Sequence, residues 1–98
     1  MIKHIVMFRL KSSFNPKEKL EHLKTLKTRL DNLVNLIPEI EHLETGINIS
    51  SSPAAYDLVL CTEFVNEEKL NIYRKHPEHQ SVLDFINEIN EDIVVVDY

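Results

Sequence analysis

IKHIVMFRL, residues 2–10, alternates with the period of a β-strand: Ile2, His4, Val6, Phe8 and Leu10 on one side, Lys3, Ile5, Met7 and Arg9 on the other. Apolar residues occupy both sides. A strand with one solvated face carries polar residues on that face, so both sides of the sheet containing this strand are expected to be covered. Helices can cover one side; something else must cover the other.

Working outward, Asn15-Pro16 with Glu18 opens a helix as cap, first-position proline and capping-box partner. Leu20, Leu23, Leu26 or Lys27, Leu30, Leu33, Val34 and Ile37 follow as one buried stripe, and Pro38 ends the helix. A second strand fits residues 40–49, IEHLETGINI, and a Ser-Ser-Ser-Pro-Ala-Ala connector precedes a third, YDLVLCTEFV, at 56–65. Asn66 caps a short helix with Glu67 and Glu68 at its positive end. Pro77 stops that helix and starts another, which runs to about Asn90 with Val82, Leu83, Phe85, Ile86 and Ile89 inward. The last strand is DIVVVDY, residues 92–98. The order β-α-β-β-α-α-β describes an α+β subunit of split β-α-β type, a four-stranded antiparallel sheet with helices on one face. The simplest cover for the other face is the same sheet of a second copy, which makes the expected partner the chain itself, a homodimer. Ile5, Met7, Val59 and Cys61 are the expected inter-sheet core.

Composition narrows the function. Ninety-eight residues, 43% of them apolar, are read as one domain spanning 1–98. A formal charge of −5 repels phosphate backbones and anionic bilayers, so neither nucleic acid nor membrane is an expected partner. No apolar run is long enough to span a bilayer and no basic leader precedes the first strand, so a cytoplasmic location is expected. One cysteine, Cys61, builds neither an internal disulfide nor a thiolate zinc site, and the histidine spacing matches no metal motif. No metal and no cofactor is expected.

The chemistry concentrates in IYRKHPEHQS, residues 72–81. Tyr73 sits on the short helix three positions after Leu70 and can face the sheet. His79 lies in the first turn of the next helix, where the free N–H groups disfavour a protonated ring and keep it a neutral base. His4 shares the strand face of Val6 and Phe8 that is assigned to the helices. The three can therefore converge in a pocket between sheet and helices, where an imidazole takes a proton from carbon beside a carbonyl while a tyrosine hydroxyl steadies the enolate oxygen.

Five segments, IKHIVMFRLK, NLVNLIPEIEHLETGINI, AYDLVLCTEF, YRKHPEHQSV and VVVDY, resemble in order and spacing the stress-responsive A/B barrel, or Dabb, domain family over essentially the whole chain. The resemblance implies a ferredoxin-like subunit in a dimeric α/β barrel. It also implies a mixed range of functions, from plant polyketide cyclases to stress-associated proteins without a settled reaction. In cyclase-like members a strand-one histidine and the last histidine of HPxH react, with the helix tyrosine beside them; these positions fall on His4, His79 and Tyr73. Asp97, in VVVDY, is implied to orient an imidazole or line the pocket, with His76 and Phe8 as further lining. Leu58 departs from the pattern where such members place another histidine, which implies a drier pocket.

Each residue has a structural reading as well. His4 can be a core imidazole bonded to a carbonyl, Tyr73 a core aromatic, and His76 a donor to the carbonyls ending the preceding helix. His22 and His42 read as solvent-facing, and Cys61 as an inert buried thiol. Two functions follow: a cofactor-independent lyase- or cyclase-like enzyme acting on a small apolar carbonyl compound, or a non-catalytic dimer that binds a small apolar ligand or serves as a stress-associated protein.

Overall fold

A computed structural model describes residues 1–98. Its elements are β1 (Ile2–Leu10), α1 (Pro16–Leu36), β2 (His42–Ile47), β3 (Leu58–Phe64), α2 (Glu67–Lys75), α3 (Pro77–Ile89) and β4 (Asn90–Asp97). The sheet is antiparallel in the order β2-β3-β1-β4. This is the ferredoxin-like architecture expected from the element order. No helix is long and apolar enough to cross a membrane.

The register fixes the two faces. His4 pairs with Thr62 and Asp97, Val6 with Leu60 and Val95, and Phe8 with Leu58 and Ile93, so these residues share the helix-covered face. Val6, Phe8, Leu58, Leu60 and Phe64 are buried there against Leu23, Leu26, Leu30 and Leu33 of α1, Leu70 and Tyr73 of α2, and Val82 and Ile86 of α3. On the opposite face Ile5, Val59 and Cys61 are half-buried, while Met7 is 42% exposed, Val94 42% and Val96 53%. The apolar outer face anticipated from β1 is therefore present and extends across β4.

Helix α1 starts as its sequence dictates: the Asn15 side chain accepts from Glu18 N–H at 2.8 Å, and the Glu18 carboxylate accepts from Asn15 N–H at 3.1 Å. Its buried seam is narrower than the expected stripe. At about 100° per residue, Leu20 falls roughly 100° and Val34 roughly 60° from the centre of the Leu23–Leu26–Leu30–Leu33–Ile37 seam, and both are exposed, at 46% and 43%. His22 is the converse case. Expected to face solvent, it sits on the flank of the seam with its ring between Phe14 and Phe85, 4.6 and 6.4 Å from their centroids.

Strand β2 is shorter than the 40–49 expected. Ile40 belongs to a turn that follows Ile37, and beyond Ile47 side chains take over the backbone: Asn48 Oδ1 accepts from Ser50 N–H, Ser50 Oγ from Ser52 N–H, and Ser52 Oγ from Ala54 N–H. At the other end, α3 passes into β4 at Asn90 with no intervening loop, two residues earlier than expected.

Asp57 ties these pieces together. It is buried; one carboxylate oxygen accepts from Leu10 N–H at 2.8 Å, the other meets Lys19 Nζ at 2.8 Å, and its own N–H donates to the Phe8 carbonyl at 2.8 Å. Leu10 lies where the β1–β4 register shifts, so no ladder partner stands ready to replace the carboxylate. Asp57→Ala is expected to cost about 2 kcal/mol by leaving that N–H unpaired, lowering Tm by roughly 8–16 °C in a domain of this size. Asp57→Asn, which keeps an acceptor, should lose less in the same thermal denaturation.

Candidate active site

The break between α2 and α3 builds half of the site. Pro77 has no N–H to donate, and the Glu78 N–H that would continue the helix ladder back to the Arg74 carbonyl goes instead to His76 Nδ1, at 3.1 Å. His76 therefore caps α3 as an acceptor, not the preceding helix as the expected donor. The Arg74 carbonyl, left without its helical donor, accepts from His79 Nδ1 at 3.0 Å and from Gln80 Nε2 at 2.8 Å. A carbonyl oxygen only accepts, so His79 Nδ1 carries the hydrogen and Nε2 keeps the lone pair.

The sheet supplies the other half. His4 is 6% exposed, and its Nδ1 stands 2.5 Å from Asp97 Oδ1, its antiparallel neighbour on β4. Thr62, the neighbour on β3, donates its hydroxyl to the His4 carbonyl at 3.2 Å. Asp97 Oδ2 pairs with the Arg74 guanidinium. Between the two imidazoles lies Tyr73, with no exposed surface; its ring centroid is 5.9 Å from that of His4, 4.4 Å from His79 and 5.0 Å from Phe64. The Tyr73 hydroxyl is buried and bonds to no protein group.

These groups border a cavity of about 310 Å³ whose lining includes His4, Phe8, Tyr73, Arg74 and His79 and is otherwise aliphatic. Of the residues singled out in the sequence, His4, Tyr73, His79 and Phe8 line this cavity. Asp97 does not line the cavity but bonds His4 from beside it, and His76 stays outside. Leu58 also stays outside, packed in the core, and it is Leu60 that reaches the lining. Arg74 went unnoticed because a basic residue in the last turn of a helix already has an ordinary explanation in the helix dipole.

Burial holds the His79 ring below the ordinary histidine range, opposed by its bond to the Arg74 carbonyl and reinforced by the nearby His4, Arg74 and His76. The leading cause is burial, where the helix terminus was the one expected. Burial likewise pushes the Tyr73 phenol well above its ordinary value, with the Arg74 charge in opposition, so the hydroxyl remains a donor at any physiological pH. Cys61, on the outer face, has its thiol raised by burial and by Glu44, against Lys3; it is protonated and poorly nucleophilic. No three His, Cys, Asp or Glu side chains cluster so as to hold a metal ion.

With this geometry in place, the model of the stress responsive A/B barrel domain matches residues 2–98. The chain belongs to the stress-responsive A/B barrel domain family. It is 29% identical over 101 residues to the stress-response A/B barrel domain-containing protein DABB1 of Arabidopsis thaliana, covering 100% of this chain and 46% of DABB1. The chain spans less than half the length of the curated relatives it matches. Among solved structures, a dimeric protein of ferredoxin-like fold from Bacteroides fragilis is 31% identical, with a TM-score of 0.91 over 99% of this chain and 93% of that one. The hydroxynitrile lyase of Passiflora edulis shares the fold at 21% identity, with a TM-score of 0.81 over 99% of this chain and 90% of that one.

Proposed function

We propose that this A/B barrel chain is a lyase- or cyclase-like enzyme that moves protons on a small, neutral, apolar carbonyl compound without help from a cofactor. The observation that carries this reading is Tyr73, which lines a largely apolar cavity with its ring beside two imidazoles and its hydroxyl buried without a protein partner. A buried hydroxyl without a partner costs about 1–3 kcal/mol, and a substrate carbonyl oxygen would complete it. His79 Nε2 takes the proton from the carbon beside that carbonyl; the C–H electrons become the enolate π-bond, and the developing oxyanion accepts from the Tyr73 O–H. Collapse of the enolate, by ring closure or by expulsion of a leaving group, takes the proton back from His79 Nε2. At about 30 Å³ per water in the liquid, the cavity holds the equivalent of roughly ten waters, which suits a compact substrate. Another protein of this fold, the Passiflora edulis enzyme, is a hydroxynitrile lyase.

The reading is tested by incubating the protein with a panel of small aryl and alkyl ketones in deuterium oxide and following their α-proton signals by NMR. Exchange above the buffer rate supports it. Saturable binding without exchange would favour instead a ligand-binding role for the same cavity, and neither exchange nor binding across the panel would remove the enzymatic reading.

We also infer that two copies pack outer face to outer face, as the exposed Met7, Val94 and Val96 invite and as the dimeric Bacteroides fragilis relative suggests. Met7→Lys is then expected to weaken the dimer by about 2 kcal/mol or more, about 30-fold in Kd, while far-UV circular dichroism of the subunit is unchanged, because Met7 is 42% exposed in the single chain. Sedimentation equilibrium measures this; a wild-type monomer at micromolar concentration would contradict the arrangement.

A further inference from the structure

Arg74 touches both imidazoles of the site by two separate routes. Its guanidinium pairs with Asp97 Oδ2, while Oδ1 of the same carboxylate lies 2.5 Å from His4 Nδ1. Its main-chain carbonyl lies 3.0 Å from His79 Nδ1. Carboxylate and carbonyl oxygens only accept, so each Nδ1 bears a hydrogen and each Nε2 of a neutral ring keeps its lone pair. We propose that Arg74 is a positioning residue that fixes both histidines in the Nδ1–H tautomer, acting on His4 through its side chain and Asp97, and on His79 through its carbonyl. The consequence for catalysis, two basic Nε2 atoms available at one cavity, rests on the enzymatic reading above; the tautomers themselves do not.

Two features separate this arrangement from an ordinary surface ion pair, which is worth little. First, the guanidinium occupies one carboxylate oxygen and leaves the other to the imidazole, so the carboxylate is held at both ends. An Asp97 without that second partner would be free to rotate Oδ1 away from the ring. The other groups facing that ring are Tyr73 from α2 and His79 from α3, and Thr62 from β3 reaches only the His4 carbonyl; none of them can substitute for the guanidinium. Second, the carbonyl arm depends on the helix break. Because the Glu78 N–H turns to His76, both lone pairs of the Arg74 oxygen are free for His79 and Gln80.

The test reads the rings directly, by long-range proton–nitrogen NMR of ¹⁵N-histidine-labelled protein at roughly pH 8, above the ordinary histidine range. In the wild type both His4 and His79 should show protonated Nδ1 and bare Nε2. In Arg74→Met the guanidinium is lost and the carbonyl stays. Asp97 then loses its second partner and can turn from the ring, so the His4 nitrogens should move from the pure Nδ1–H pattern toward values averaged over both tautomers, while His79 keeps its tautomer. Arg74→Lys should restore His4 part of the way. If Arg74→Met does not fold, Asp97→Ala cuts the same arm at its other end and should release His4 from the Nδ1–H form while sparing His79. A wild-type ring with protonated Nε2, or a His4 whose ring-nitrogen signals are the same in Arg74→Met as in wild type, overturns the assignment. Turnover is not read at any point, so a failure of the ketone assay and a failure of this assignment are distinct results.

Discussion

Alanine at position 79 is expected to slow α-proton exchange by about 10²–10⁴-fold, the contribution of a positioned general base, with the fold retained. The ring is half-buried and its polar bond is to a single carbonyl, so its removal costs about 1 kcal/mol, as for a typical substitution. The pH dependence gives the loss a signature. Burial keeps His79 below the ordinary histidine value of about 6.5, so in the wild type the rate should climb as the ring deprotonates and level off before neutrality. Stability moves in the same direction. The unfolded ring binds its proton at higher pH than the folded one, so this group's contribution is complete above the unfolded value and is lost as pH falls through the folded value. His79→Ala should remove both acid limbs together, in the exchange assay and in denaturant titrations. A variant that exchanges protons at the wild-type rate would show that the base is elsewhere.

Tyr73→Phe should separate activity from stability. Deleting one preorganised oxyanion donor is expected to cost about 10²–10³-fold in kcat. The same change removes a buried hydroxyl that no protein group satisfies and leaves the ring packed against His4, Phe64 and His79, so the folded state should gain about 1 kcal/mol. A gain of that size raises Tm by roughly 4–8 °C in a domain of this length. A more stable and less active protein is the pattern of a group retained for chemistry. If Tyr73→Phe is instead destabilised, the hydroxyl has a structural partner and the carbonyl-binding role assigned to it fails.

Much of this was written locally in the chain. The alternation in residues 2–10 announced both faces of β1, and Asn15-Pro16-x-Glu18, Asn66 and Pro77 each marked a helix end through chemistry confined to a few neighbouring residues. The convergence of His4, Tyr73 and His79 followed from which face each residue occupies. Pairings across the sheet were not legible, because nothing in spacing fixes the β1–β4 register that sets His4 beside Asp97. His22 escaped for a similar reason: Phe14 and Phe85 lie 8 residues before and 63 after it, and only tertiary packing brings them to its ring. The His76 imidazole can serve either helix it joins, and sequence does not choose between them.

The passage of α3 into β4 without a loop folds the strand straight back from the helix, so that His79 in the first turn of α3 and Asp97 at the end of β4 arrive at the same site. No connecting residues between them can absorb a shift, so a tilt of α3 that moved the first imidazole would pull on the strand that anchors the second. The spacing of the two rings is thus set by one closed turn of the backbone as well as by two side-chain choices.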